Sequence, residues 1–118
     1  MADGTSPVIE PRVEDGVLIA RVLLPRLDAS VAPQLRASVA KEIEAGHQRL
    51  VLDLGGVDFM DSSALGALVS CLKALGGRGD MAVSGAHGAV AKLFKLTRLD
   101  RVLKLHDSVD AAAAAIRA

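Results

Sequence analysis

Three consecutive residues, Asp61, Ser62 and Ser63, hold the chain's most concentrated chemistry. A carboxylate and two hydroxyls stand just ahead of an apolar series at helical spacing, Leu65, Leu68, Val69, Leu72 and Leu75. Short oxygen-bearing side chains in that place accept hydrogen bonds from the orphan amides of a helix's first turn. The same place suits a modified serine. A helix start carries about half a positive charge, so a phosphate there is tolerated by the fold while it changes what the surface binds. A structural cap and a modification or ligand site both fit the triplet.

Other reactive residue types are present without the company that catalysis needs. His47, His87 and His106 are far apart in sequence and lack metal-ligand spacing, so they read as surface histidines and no metal site is expected. Asp53 and Asp61 flank a loop, but no histidine or lysine is placed to complete an acid–base pair, and a strand-end carboxylate and a helix cap account for them. Neither serine sits in a GxSxG elbow, and no GxGxxG or P-loop lysine pattern occurs. Cys71 is the only cysteine, at mid-helix spacing, which excludes an internal disulfide and suits a reducing compartment. Neither an enzyme nor a bound cofactor is expected.

The elements that position the triplet can be read on either side of it. Val51, Leu52 and Leu54 form a short buried strand closed by Gly55-Gly56, a loop from Gly55 to Met60 follows, and the helix ends at Gly76-Gly77. Upstream, Val8 to Val13 around Pro11 reads as an edge strand and Asp15-Gly16 as a tight turn. Val17 to Leu24 then completes a hairpin. Ser30 is a candidate cap and Pro33 a first-turn residue of a helix with Leu35, Val39 and Ile43 on one face, running to about Ala45 before Gly46. Downstream, Met81-Ala82-Val83 predicts a third buried strand, and Val90, Leu93 and Phe94 a helix. Val102 to Leu105 predicts a last strand, and Ser108 the cap of an alanine-rich helix from Val109 to about Ile116. Strands alternating with helices after an opening hairpin imply an α/β domain with a mixed sheet of four to five strands and about four helices.

Composition limits the partners. The 118 residues carry 14 basic and 14 acidic side chains with no block of one sign, and Phe59 and Phe94 are the only aromatics. Both features argue against nucleic acid, which calls for a basic footprint and bases stacked on rings. No apolar run approaches the ~18 residues that span a bilayer, and the first residues lack a secretory pattern, so a soluble cytoplasmic protein is expected. Residues 1–6, small and polar, are expected to fray, with one domain over 7–118.

The run Val57-Asp58-Phe59-Met60-Asp61-Ser62-Ser63-Ala64-Leu65-Gly66 resembles the signature of the STAS domain, in particular the bacterial anti-sigma-factor antagonists, whose pattern is FMDSSGLG or FMDSTGLG after a hydrophobic strand. Arg26-Leu27-Asp28 resembles the family's GELD segment and Ala91 to Thr97 its VxRLFxLTG segment, so the likeness covers most of the chain. The resemblance implies a single STAS-like α/β domain. By motif position it makes Ser62 the residue phosphorylated by a serine-kinase anti-sigma factor that uses ATP and magnesium. Asp28, Asp61, Ser63 and Ala64 become the phosphosite neighbours and partner-binding residues. It further implies partner switching: the unphosphorylated antagonist binds the kinase, phosphorylation releases it, and a serine phosphatase resets it. The free protein is expected to be a monomer. Two departures from the pattern matter, Ala64 and Pro25, each standing where glycine is usual. An alternative implied by the same resemblance is a non-phosphorylated STAS subunit of an ABC-type lipid-transport complex.

Overall fold

The computed structural model describes residues 7–117. In chain order the elements are β1 (Ile9–Glu14), β2 (Val17–Val22), β3 (Arg26–Leu27), α1 (Ala32–Glu44), β4 (Arg49–Asp53) and β5 (Phe59–Met60). They continue with α2 (Ser62–Leu75), β6 (Asp80–Ser84), α3 (Gly88–Leu96), β7 (Leu105–His106) and α4 (Val109–Ile116). Single 3-10 turns lie at Gly76–Arg78 and Leu99–Arg101.

Five strands form one mixed sheet in the order β1-β2-β4-β6-β7, antiparallel at the β1–β2 hairpin and parallel elsewhere. Asp15 and Gly16 at the hairpin tip both have positive φ, which matches the turn to the twist of its strands. Pro11 lies in the edge strand, where a missing amide is tolerated.

The strand sequences encode both faces of this sheet, because successive side chains point to opposite sides. Leu18 and Ala20, Leu50 and Leu52, and Met81 and Val83 pack with Leu35 and Val39 of α1, Leu65, Leu68, Cys71 and Leu75 of α2, and Val90 and Phe94 of α3. The intervening Val17, Ile19, Val51 and Ala82 face the other way, onto Ala112, Ala113 and Ile116 of α4. Near-continuous apolar runs are what a doubly covered parallel sheet requires. The alanines of α4 let it lie close to the sheet, so a helix with little side-chain volume still closes that face.

Three local expectations are corrected. The loop from Gly55 to Met60 contains β5, which pairs in parallel with β3 to form a second, two-stranded ladder. Ser30 is not the cap of α1; that position is Val31, without a side-chain cap, and Ser30 turns back onto Asp28. The last strand is Leu105–His106 rather than Val102 to Leu105. Val102 closes a 3-10 turn and is 52% exposed, while Leu103 is buried as the chain enters the sheet. The expectation for residues 1–6, like that for Ala118, lies outside the described residues.

The loop after β4 is held by close backbone contact. Leu54 donates its amide to the carbonyl of Ser84, Val57 to that of Leu54, and the Asp53 carboxylate accepts from the Gly55 amide. Gly85 has φ +74°, and a Cβ placed on it would stand 2.9 Å from both the nitrogen and Cα of Gly55. Gly85→Ala is therefore expected to cost about 1–3 kcal/mol, as strain at a left-handed position does. Gly56→Ala, where a Cβ meets nothing within 4 Å, should stay within ~0.5 kcal/mol. Urea denaturation of the two variants checks this; equal stabilities would contradict the contact.

Candidate functional site

The small ladder brings the two sequence segments of the site together. Arg26 pairs with Phe59 and Leu27 with Met60. The Pro25 carbonyl accepts from the amides of Asp58 (2.7 Å) and Phe59 (3.2 Å), and the Leu27 carbonyl accepts from that of Asp61 (3.0 Å). Pro25 thus contributes through an oxygen that proline retains. Leu27 and Met60 are buried below, and on the outside the Arg26 guanidinium lies 4.1 Å from the centroid of the Phe59 ring, a cation–π contact.

The chain then reaches Asp61, the N-cap of α2, with extended backbone at φ −107° and ψ 179°. One carboxylate oxygen, Oδ1, accepts from the Ala64 amide at 3.1 Å, which is the cap itself. The other, Oδ2, accepts from the Ala29 amide at 3.1 Å, in the turn ahead of α1. A single side chain therefore ties the starts of two helices. Asp28, next to that turn, accepts at Oδ1 from both the amide and the hydroxyl of Ser30, and its Oδ2 lies 3.3 Å from Arg26 Nε. The Ser30 hydroxyl, the Ser30 amide and Arg26 together hold the Asp28 carboxyl below its ordinary pKa, because each favours the ionised form.

Ser62 and Ser63 are the first two residues of α2, and both are exposed. Their amides have no intrahelical partner by position. Ser63 lines an open groove of about 360 Å³ between α1 and α2, with Ala29, Arg36, Gly66 and Ala67; Ser62 does not. The roughly 100° turn between successive helical residues separates the two hydroxyls. Ala64 is fully buried, so its methyl acts through packing beside the serines and offers nothing to a partner's surface. Below the groove the buried Cys71 thiol contacts the Arg36 carbonyl at 3.7 Å, and burial pushes its pKa up, only partly offset by Arg36. It is kept as a neutral thiol.

The remaining candidates stay apart from the serines. Asp53 serves the turn at Gly55, and His87 Nε2 is 3.3 Å from the Gly55 carbonyl. His47 lies 3.8 Å from Glu42. His106 corrects the surface reading: it is half-buried, and its Nε2 and the hydroxyl of its register partner Ser84 are buried without a hydrogen-bond partner among the described residues. Among the described residues no three His, Cys, Asp or Glu side chains could share a metal ion, and no helix is long and apolar enough to cross a membrane. Sequence reasoning missed Ala29, whose contribution is a main-chain amide, and the Arg26–Phe59 pair, whose partners are brought together only by two-residue strands.

Fold and site together define an α/β domain that presents a pair of serines on a doubly anchored helix start. The family model for the STAS domain matches residues 8–112, and the chain belongs to that family. It is 31% identical over 104 residues to BtrV of Bordetella bronchiseptica, a candidate anti-sigma factor antagonist, covering 87% of this chain and 89% of that one. Against the anti-sigma F factor antagonist of Paenibacillus polymyxa it is 30% identical over 102 residues, 85% of this chain and 86% of the relative. The crystal structure of an anti-sigma factor antagonist from Mycobacterium paratuberculosis superposes with a TM-score of 0.86 at 27% identity, covering 93% of each chain.

Two outcomes follow from the anchoring. Asp61→Ala removes a cap and the bond to Ala29, and should destabilise the domain by about 1–2 kcal/mol. Asp61→Asn keeps one acceptor oxygen and should lose less; chemical denaturation ranks the two, and an Asn variant as weak as the Ala variant would contradict the geometry. For Asp28 the folded pKa is depressed, so its contribution is present above the unfolded value near about 4 and is lost as pH falls through the folded value. Asp28→Asn should therefore lower the urea midpoint at pH 7, and the gap from the wild type should shrink at pH 3. A gap independent of pH would mean that the charge of Asp28 is not what holds the turn.

Proposed function

We propose that the chain is an anti-sigma factor antagonist that works by partner switching, with Ser62 as its phosphoacceptor. In the unphosphorylated form it binds a serine-kinase anti-sigma factor. Phosphorylation at Ser62 by that ATP-dependent kinase releases it, and a serine phosphatase restores it. The protein is substrate and ligand in this cycle, not catalyst, and acts in the cytoplasm as a monomer when free. The names of the two relatives supply the partner class. The motif register supplies the residue.

The observation that carries the reading is that Ser62 is free for modification while the helix start it belongs to is already secured. Its side chain is exposed and makes no hydrogen bond among the described residues, whereas Asp61 carries both anchoring bonds. A phosphate on Ser62 breaks no contact of the fold. It stands near the unpaired amides of the first turn, where a dianion is favoured, and beside the Asp61 carboxylate, where it concentrates negative charge on the surface. Ser63, which lines the groove toward Arg36, would place the charge on a different face.

After reaction with the kinase and ATP, mass spectrometry is expected to find the phosphate on Ser62, and Ser62→Ala should abolish labelling. Ser62→Asp should lose most kinase affinity while its thermal midpoint moves by only a few degrees, equivalent to less than about 1 kcal/mol. Phosphate on Ser63 would overturn the assignment, and an unfolded Ser62→Asp would overturn the mechanism.

A further inference from the structure

The segment from Lys92 to Lys104 carries a charge the rest of the chain does not. Lys92, Lys95, Arg98, Arg101 and Lys104 are five of the fourteen basic residues, and Asp100 is the one acidic residue among them. The other residues of the chain are therefore net acidic. All five cations are exposed, and none makes an ion pair among the described residues. Two of the chain's exposed large hydrophobics lie between them, Leu96 at 75% and Val102 at 52%. Lys92 and Leu96 are four residues apart on α3 and share a face.

Arg98 adds an independent observation. It follows Thr97, the C-cap of α3, and has φ +61° and ψ +18°, the left-handed conformation in which helices usually end on glycine. For a residue with a Cβ this conformation is unfavourable. Its main chain ends α3 and opens the following 3-10 turn, the amide donating to the Lys95 carbonyl and the carbonyl accepting from the Arg101 amide, whereas the Arg98 side chain is exposed and makes no ion pair among the described residues. Glycine would serve that main-chain role with less strain, so the fold accounts for the turn but not for the cationic side chain that stands there. Arginine flanked by exposed apolar side chains is the composition of an energetic centre in protein interfaces.

We infer that this basic and apolar surface, centred on Arg98 and Leu96, is a second docking contact for the anti-sigma factor, taking an acidic face of that partner with an apolar pocket for Leu96. The inference rests on the function proposed above and extends it. Its position supports it, because α3 packs against β5, the strand that leads directly into Asp61 and Ser62. The cations would steer and hold the complex in a salt-dependent way, while Ser62 would decide whether it persists.

The test measures affinity for the kinase that labels Ser62, using the wild type, Arg98→Gly, Leu96→Ser and Ser62→Asp. Arg98→Gly should raise the thermal midpoint by roughly 2–6 °C, since glycine suits the left-handed position, and yet weaken binding about 10-fold. Leu96→Ser, at an exposed site, should leave the midpoint in place and weaken binding to a similar degree. The salt dependence of binding should be shallower for Arg98→Gly than for the wild type. If both surface variants bind like the wild type while Ser62→Asp does not, the patch is overturned and the switch stands. If the kinase does not bind the wild type, the function proposed above falls, and the patch loses its partner with it. Sedimentation with phosphatidylglycerol vesicles that is lost in both variants, with kinase affinity unchanged, would assign the patch to a lipid surface and overturn the inference.

Discussion

The carboxylate of Asp61 is the constraint on which the site depends. It accepts from the Ala64 amide inside α2 and from the Ala29 amide ahead of α1, each at 3.1 Å. Two segments more than thirty residues apart are thereby held in one surface. The bond is also satisfied from below, because the main-chain amide of Asp61 is held by Leu27 of β3. Asp61 therefore cannot drift with a mobile loop, and the hydroxyl that follows it is presented in a fixed direction. Charge-assisted bonds of this kind are stronger than neutral ones, which fixes the helix start firmly.

The sheet beneath makes that rigidity possible. β4 is central and buried on both faces, so its C-terminal end is a stable point from which the loop to β5 departs. The close approach of Gly85 to Gly55 pins the loop, and Leu27 and Met60 fill the space under the small ladder. On the α1 and α2 side, Ala29, Gly66 and Ala67 keep the groove shallow beside Ser63. The Ser62 hydroxyl thus stands exposed on a supported edge of the domain, outside the packing beneath it.

Much of this was legible in the residues. The apolar runs of β2, β4 and β6, the glycines after α1 and α2, and the caps Asp61 and Ser108 each have a strong local signature, and each element formed where its signature lies. Of the two readings of the triplet, the structure shows the cap at Asp61, and the motif reading falls on the residue that follows it, the first of the same helix. What escaped was held by contacts distant in sequence. β3 and β5 are two residues each, shorter than any periodicity can reveal, and they form only because they meet. Ser30 has the right type for a cap, but Asp28 offers its hydroxyl a closer acceptor. Val102 has strand propensity, yet the left-handed Arg98 turns the chain into a 3-10 turn before β7 begins. The partner role proposed for Asp28 and Ser63 rests on the family motif alone, whereas the burial of Ala64 needed the fold.

The account stands on the idea that phosphorylation changes a surface and leaves the domain intact. The most direct measurement compares amide ¹H–¹⁵N spectra of the chain before and after stoichiometric phosphorylation. Shifts confined to residues 28–30 and 61–66, with the amides of Ala112 and Ala113 on the far face of the sheet unmoved, are the predicted result. Displacement of resonances throughout the sheet and α4, or loss of their dispersion, would mean that the phosphate acts by reorganising the fold, and would contradict the account.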